Sequence, residues 1–220
     1  MTDTWLVYGF MILVLLLFEF RKFKYLVCAF LCLLLLSTNR MLREYGQQRQ
    51  QWLVLYAGLK VPHVHFIEGQ ENVFLADSLF ATHFESYQRR IGNFLLSRGL
   101  NSPVFGEDVS SANSRAPLFA YRDNGAYALL VWQRKSFFIL KQNIPYREFA
   151  RFSRLQTDYL IVQNNALRSL KKINDYFKPQ LLVVDGSNSF YQARRLSREA
   201  QQLGIPCHSV PEQGAFLLKP

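Results

Sequence analysis

Two runs near the start of the chain carry no charge, Trp5–Phe18 with 14 residues and Tyr25–Leu36 with 12. Between them lie Glu19, Phe20 and the basic cluster Arg21-Lys22-Phe23-Lys24. Each run falls short of the roughly 18–20 residues that normally cross a bilayer. Extended over their flanks (Trp5–Phe20 and Phe23–Thr38), they reach about 24 Å, enough for a thin or locally pinched membrane. The pattern predicts a transmembrane helical hairpin over residues 1–40, its two helices joined by a basic turn. A cleavable signal peptide is the competing reading. It fails because the basic residues follow the first apolar run and Met1-Thr2-Asp3-Thr4 has no positive charge. The cations of the turn place it on the cytoplasmic side, with everything after residue 40 facing outward; Arg40, Arg43 and Arg49 pull the other way.

The polar stretch 41–51 reads as a helix-compatible linker, and 52–220 as the soluble part. Trp52–Ala57 is strand-like, and Val64–Ile67 with Val73–Ala76 reads as a hairpin around Glu68–Asn72. Ser78 caps a predicted helix in which Leu79, Phe80, Phe84, Tyr87, Ile91 and Leu95 recur at helical spacing, ended by Gly99. Asn101–Pro117 has little periodicity and predicts a loop. Leu118–Tyr121 and Tyr127–Trp132 flank Arg122-Asp-Asn-Gly125, a tight-turn signal, and Ser136–Lys141 adds a third antiparallel strand. The rhythm then changes to strand and helix in alternation. A short helix is predicted over Tyr146–Arg154, a strand over Tyr159–Val162, a helix over Ala166–Phe177 and a buried strand over Gln180–Val184. A helix over Ser189–Leu203 follows, with Phe190, Ala193, Leu196, Ala200 and Leu203 on one face and Gly204 closing it. Two short strands, Cys207–Val210 and Ala215–Leu218, end the chain. The soluble part is thus mixed α/β, antiparallel hairpins first and a βαβαβ run second.

Half the residues are hydrophobic, which excludes global disorder, and the net charge is +10. Placement matters more than size. Residues 41–133 hold 8 basic and 8 acidic side chains, whereas 134–220 hold 14 and 6. A field of that sign attracts nucleic acid or anionic lipid. The cations fall in order on three predicted helices: Arg147, Arg151 and Arg154, then Lys171 and Lys172, then Arg194, Arg195 and Arg198. Cys28, Cys32 and Cys207 form no disulfide or zinc pattern.

Three constellations bear on chemistry. His63-Val-His65 puts two imidazoles on one face of a strand, but the positions that would complete a His-x-His-x-Asp-His ligand set hold Ile67 and Glu68, so the pair reads as surface histidines. Asp185, Ser187 and His208 are the weak candidates for a nucleophilic set. The context is not Gly-x-Ser-x-Gly, and the competing reading makes Asp185–Asn188 a structural turn. A milder functional version makes Gly186, Ser187 and Asn188 an anion site at a helix N-terminus, and Lys171, Lys172, Arg194, Arg195 and Arg198 are candidates for nucleic-acid or anion contact on a shared basic surface.

The run Phe177-Lys-Pro-Gln-Leu-Leu-Val-Val-Asp-Gly-Ser-Asn188, with Leu203-Gly-Ile-Pro-Cys-His208 and Glu212-Gln-Gly-Ala-Phe216, resembles the C-terminal end of ComEC-type competence proteins, the DNA-uptake channels of bacterial transformation. The match is densest over 177–216 and weak before about residue 118. The resemblance implies a degenerate metallo-β-lactamase-like αββα sandwich on the outer face of the cytoplasmic membrane. It implies single-stranded DNA as the partner and a channel-forming portion elsewhere; the basic surface would bind that strand without sequence preference. The metal site of the family's fuller members lacks its residues here, so no metal, no cofactor and no catalysis are expected. The alternatives are a metal-dependent nuclease with atypical ligands and an assembly domain resting on anionic lipid. Without a multi-helix channel the chain reads as a fragment, a split product or a stand-alone descendant.

Overall fold

A computed structural model describes residues 2–76, 80, 82–105, 120–152 and 157–219. The chain divides into two compact units, Met1–Gln50 and Gln51–Pro220.

The first unit is two helices, α1 (Thr2–Phe20) and α2 (Phe23–Gln48), joined at Arg21, whose φ is 48°. Both are long and apolar enough to cross a membrane. At the open end, Asp3 accepts from Asn39 and pairs with Arg43 at 2.5 Å, which fastens the start of α1 to α2. The second helix does not stop at Thr38. It continues through most of the stretch expected to be a linker, and only Arg49 and Gln50 separate it from the first strand.

The second unit is built on two sheets. β1 (Gln51–Leu55), β2 (His63–Glu68), β3 (Glu71–Ala76) and β4 (Val104–Phe105) form one of them, with β11 (Phe216–Leu218) on its edge in the order β11-β1-β2-β3-β4. The other holds β5 (Ala120–Asp123), β6 (Tyr127–Trp132), β7 (Lys135–Leu140), β8 (Tyr159–Val162), β9 (Leu181–Val184) and β10 (Cys207–Ser209), in the order β10-β9-β8-β7-β6-β5. Pairing is antiparallel from β5 to β7 and parallel from β7 to β10, as the change of rhythm in the sequence requires. The last strand returns to the first sheet, where Leu53 faces Leu218 and Leu55 faces Phe216.

Alternation along each strand sorts the apolar side chains into three layers. Leu53, Leu55, Val64 and Phe66 meet Leu130, Trp132, Ile139 and Val183 between the sheets. Val54, Tyr56, Ile67 and Phe74 are covered by Ile91 and Leu95 of helix α3 (Phe84–Arg98), which Gly99 ends in the left-handed region. On the far side, Phe138, Leu160, Val162 and Val184 are covered by Ala193, Leu196 and Ala200 of helix α5 (Phe190–Leu203) and by Leu170, Ile173 and Phe177. The unit is therefore an αββα sandwich. Two short helices complete it, α4 (Tyr146–Phe149, prolonged by a 3-10 turn to Phe152) and α6 (Val210–Gln213).

Two expectations are corrected. Ala166–Phe177 is a chain of turns, not a helix. Phe190 does not join the buried stripe of α5; its side chain is exposed. The expected cap Ser78 with Leu79, most of the loop 101–117 and Arg154 fall outside the described residues.

Candidate functional site

His63 and His65 are not surface histidines: both are fully buried in the layer between the first sheet and α3. The Tyr56 amide donates to Nε2 of His63 at 2.9 Å, and Nδ1 of the same ring lies 2.8 Å from the Val61 carbonyl. A carbonyl only accepts, so the proton sits on Nδ1 and Nε2 has no spare lone pair. His65 Nε2 donates to Asn72 Oδ1 at 3.1 Å, while Asn72 gives its amide to the Asn101 carbonyl. His65 Nδ1 then accepts from the Tyr56 hydroxyl at 2.8 Å. The rings stack on Phe80 and Phe74. Burial pushes His63 down to about 4 and His65 to about 3, and lifts the Tyr56 phenol well above its usual range. Both rings are neutral structural groups at physiological pH.

A metal centre does not fit these residues. The lone pairs it would need are already accepting protein hydrogens, and among the described residues no three His, Cys, Asp or Glu side chains converge.

Asp185 directly follows β9 and is fully buried. Its Oδ1 accepts the Ser187 amide at 3.0 Å, the Ser187 hydroxyl at 2.5 Å and the Asn188 side-chain amide at 2.8 Å. Oδ2 is enclosed and, among the described residues, makes no hydrogen bond. Desolvation raises the carboxyl to about 7, against the opposing pull of Ser187, Asn188 and Gln163. Ser187 Oγ also accepts the Asn164 amide, and Asn188 Oδ1 accepts the Asn165 amide. The turn thus latches the loop after β9 to the loop after β8. The nucleophilic set is not assembled: Ser187 gives its hydrogen to Asp185, while His208 bonds the Gly214 carbonyl at 3.1 Å and packs on Phe216. Nor is the turn an open anion cradle. The Ser187 and Asn188 amides are bonded to Asp185, and Gly186 is pressed against the Leu59 carbonyl, which a Cβ would meet at 2.5 Å.

The exposed cations have a different arrangement. On α5, Tyr191 is followed at three, four and seven residues by Arg194, Arg195 and Arg198, so all four share the solvent face. Tyr191 is 76% exposed and Phe190 beside it 57%. Arg195 pairs with Glu199 at 3.2 Å. Glu199 in turn accepts from Ser169 Oγ at 2.9 Å and from the amides of Leu170 and Lys171 at 2.6 and 3.3 Å. Burial works against its charge, but these bonds hold its carboxyl below the usual range.

That anchor brings the turns 168–172 beside α5 and opens a cleft of about 430 Å³. Arg168, Lys172 and Arg195 line it with Asn143 and Tyr146. Lys172 Nζ stands 5.1 Å from the Tyr146 ring centre. Arg168 and Lys172 form no ion pair among the described residues. Sequence reasoning named Lys172 and Arg195 but missed Arg168, which the run Arg168-Ser-Leu-Lys-Lys172 could have suggested. No sequence signal marks Tyr146.

A model of the ComEC C-terminal domain matches residues 53–220. Among solved structures, a mutant of the CmlA beta-hydroxylase is similar at TM-score 0.45 and 10% identity, over 77% of this chain and 54% of that one. The metallo-beta-lactamase fold protein YhfI from Bacillus subtilis is similar at TM-score 0.47 and 8% identity, over 77% of this chain and 100% of that one. Comparison with curated proteins gives no match.

Proposed function

This chain belongs, over residues 53–220, to the ComEC C-terminal domain family, and from that premise we propose a membrane-anchored, non-catalytic domain of a DNA-uptake apparatus that holds a single strand by its phosphate backbone. The observation that carries the reading is the solvent face of α5, where Arg194, Arg195 and Arg198 share one face with an exposed Tyr191. Guanidinium groups contact phosphates whatever the sequence, and an exposed ring offers a platform to any base. The arrangement suits non-specific grip on an unpaired strand. It does not suit cleavage, because His63 and His65 are committed to protein partners and Ser187 is bonded to Asp185.

Residues 1–50 supply the anchor. With the cluster Arg21–Lys24 on the cytoplasmic side, the soluble unit stands on the outer face of the cytoplasmic membrane, next to whatever portion forms the channel. Accessibility of single engineered cysteines in the α1–α2 turn and in the soluble unit to an impermeant reagent tests that orientation.

Strand binding is tested by anisotropy of a fluorescent oligothymidylate with the full chain in lipid nanodiscs. Affinity should fall steeply between about 50 and 200 mM salt, and Arg194→Ala with Arg198→Ala should flatten the salt slope by about 1–2 units. Affinity unchanged in that variant would sink the reading. Binding to anionic vesicles with none to the oligonucleotide would point to a scaffold resting on lipid.

A further inference from the structure

The cleft beside α5 differs from an open basic surface in having walls. Asn143 and Pro145 come from the loop after β7, Tyr146 from the first residue of α4, Arg168 and Lys172 from the turns after β8, and Arg195 from α5. Its volume of about 430 Å³ falls in the range of small-ligand pockets. One wall is aromatic and cationic together, since Lys172 Nζ already sits over the Tyr146 ring at 5.1 Å. The lining also includes Arg195, held in place through Nε by Glu199, with its remaining guanidinium nitrogens unengaged by that bond. Glu199, which pairs with Arg195, contributes one negative charge against the three positive charges of the lining. The field in the cleft favours an anion.

We propose that this cleft holds one nucleoside monophosphate unit, with the phosphate among Arg168, Lys172 and Arg195 and the base against Tyr146. Phosphate alone would need only the cations. The ring, the Asn143 amide and the volume together suit a base as well. The proposal deepens the strand-binding reading and rests on it for one of two sources of the unit: a nucleotide within a bound strand, or a free nucleotide.

Equilibrium dialysis of radiolabelled thymidine 5′-monophosphate against the full chain in nanodiscs tests it, with thymidine and inorganic phosphate as comparison probes. The expected result is one saturable site per chain, about tenfold tighter for the nucleotide than for either comparison probe. Tyr146→Leu should bring the nucleotide down to the level of inorganic phosphate without altering phosphate binding. Arg168→Ala with Lys172→Ala should abolish both, and Arg194→Ala with Arg198→Ala should change neither. A nucleotide bound no better than inorganic phosphate, or indifferent to Tyr146→Leu in a variant of unchanged circular dichroism, overturns the proposal. Displacement of the nucleotide by oligothymidylate supports the cleft with a strand as its source. An oligonucleotide that binds without displacing it supports the cleft with a free nucleotide as its source. If the oligonucleotide fails to bind while the nucleotide still saturates, the strand reading falls and the cleft stands.

Discussion

Tyr56 donates its phenolic hydrogen to Nδ1 of His65 across 2.8 Å, in the buried layer between the first sheet and α3. The histidine that resembles half of a metal motif is the centre of a satisfied buried chain running from Tyr56 through Asn72 to the Asn101 carbonyl. Replacing it by alanine leaves the Tyr56 hydroxyl and the Asn72 oxygen without partners and opens a void beside Phe74. His65→Ala should cost about 3–5 kcal/mol in urea unfolding. A loss below about 1 kcal/mol would show that the chain of bonds is dispensable.

The same burial makes stability depend on pH. His63 and His65 titrate near 4 and 3 in the folded protein, against about 6.5 unfolded, so below pH 6.5 the unfolded chain binds more protons. Their contribution is complete above about pH 6.5 and is lost as pH falls through 4 and 3. Unfolding between pH 6 and 4 should take up as many as two protons from this pair, and His65→Phe should remove up to one of them.

Asp185 has the opposite sign. Its carboxyl, raised from 3.8 to about 7, favours the folded state when protonated, a contribution present below about pH 4 and lost as pH rises through 7. An asparagine keeps an oxygen for Ser187 and Asn188 and cannot ionise. Asp185→Asn should therefore be about 1–3 kcal/mol more stable than the parent at pH 8, with the gap shrinking toward pH 4. A gap independent of pH would mean that Asp185 does not titrate in this range.

Gly186 tests how closely the loops are packed. The obstruction to a side chain there is the Leu59 carbonyl, which is backbone and cannot swing aside. Gly186→Ala should lower stability by about 1–3 kcal/mol and the melting temperature by several degrees. An unchanged melting temperature would mean that the loop at Leu59 yields freely.

Glu199 should matter more than a surface ion pair, because it accepts from Ser169 and from the Leu170 and Lys171 amides as well as from Arg195. Glu199→Ala strands those donors at a cost of about 2–3 kcal/mol. Arg195→Ala should cost under about 1 kcal/mol, since the carboxylate keeps its other partners. Equal losses from the two changes would reverse the ranking.

Much of the architecture could be read from periodicity. The two apolar helices, the hairpin at 63–76, the hairpin turn around Gly125 and the α5 stripe at Ala193, Leu196 and Ala200 all follow from local spacing. These are places where neighbours in sequence decide the conformation. The exposed arginines of α5 were legible for the same reason, because helical periodicity alone puts them on the face opposite that stripe.

Contacts between distant segments decided the rest. Ala166–Phe177 has the spacing of a helix, yet Glu199 takes the Leu170 and Lys171 amides, and Gln192 donates its side-chain amide to the Leu167 and Arg168 carbonyls. Backbone groups that a helix would pair with each other are satisfied from α5 instead. Turns replace the helix, and those turns form a wall of the cleft. The burial of His63 and His65 has the same origin: a strand's alternation says that two histidines share a face, but only the helix packed over that face decides whether it meets water. Sequence determined most of the elements and most of their apolar faces. Tertiary structure decided which polar groups spend their hydrogen bonds inside the protein and which remain for a ligand, because a buried donor or acceptor must find its partner wherever the chain brings one.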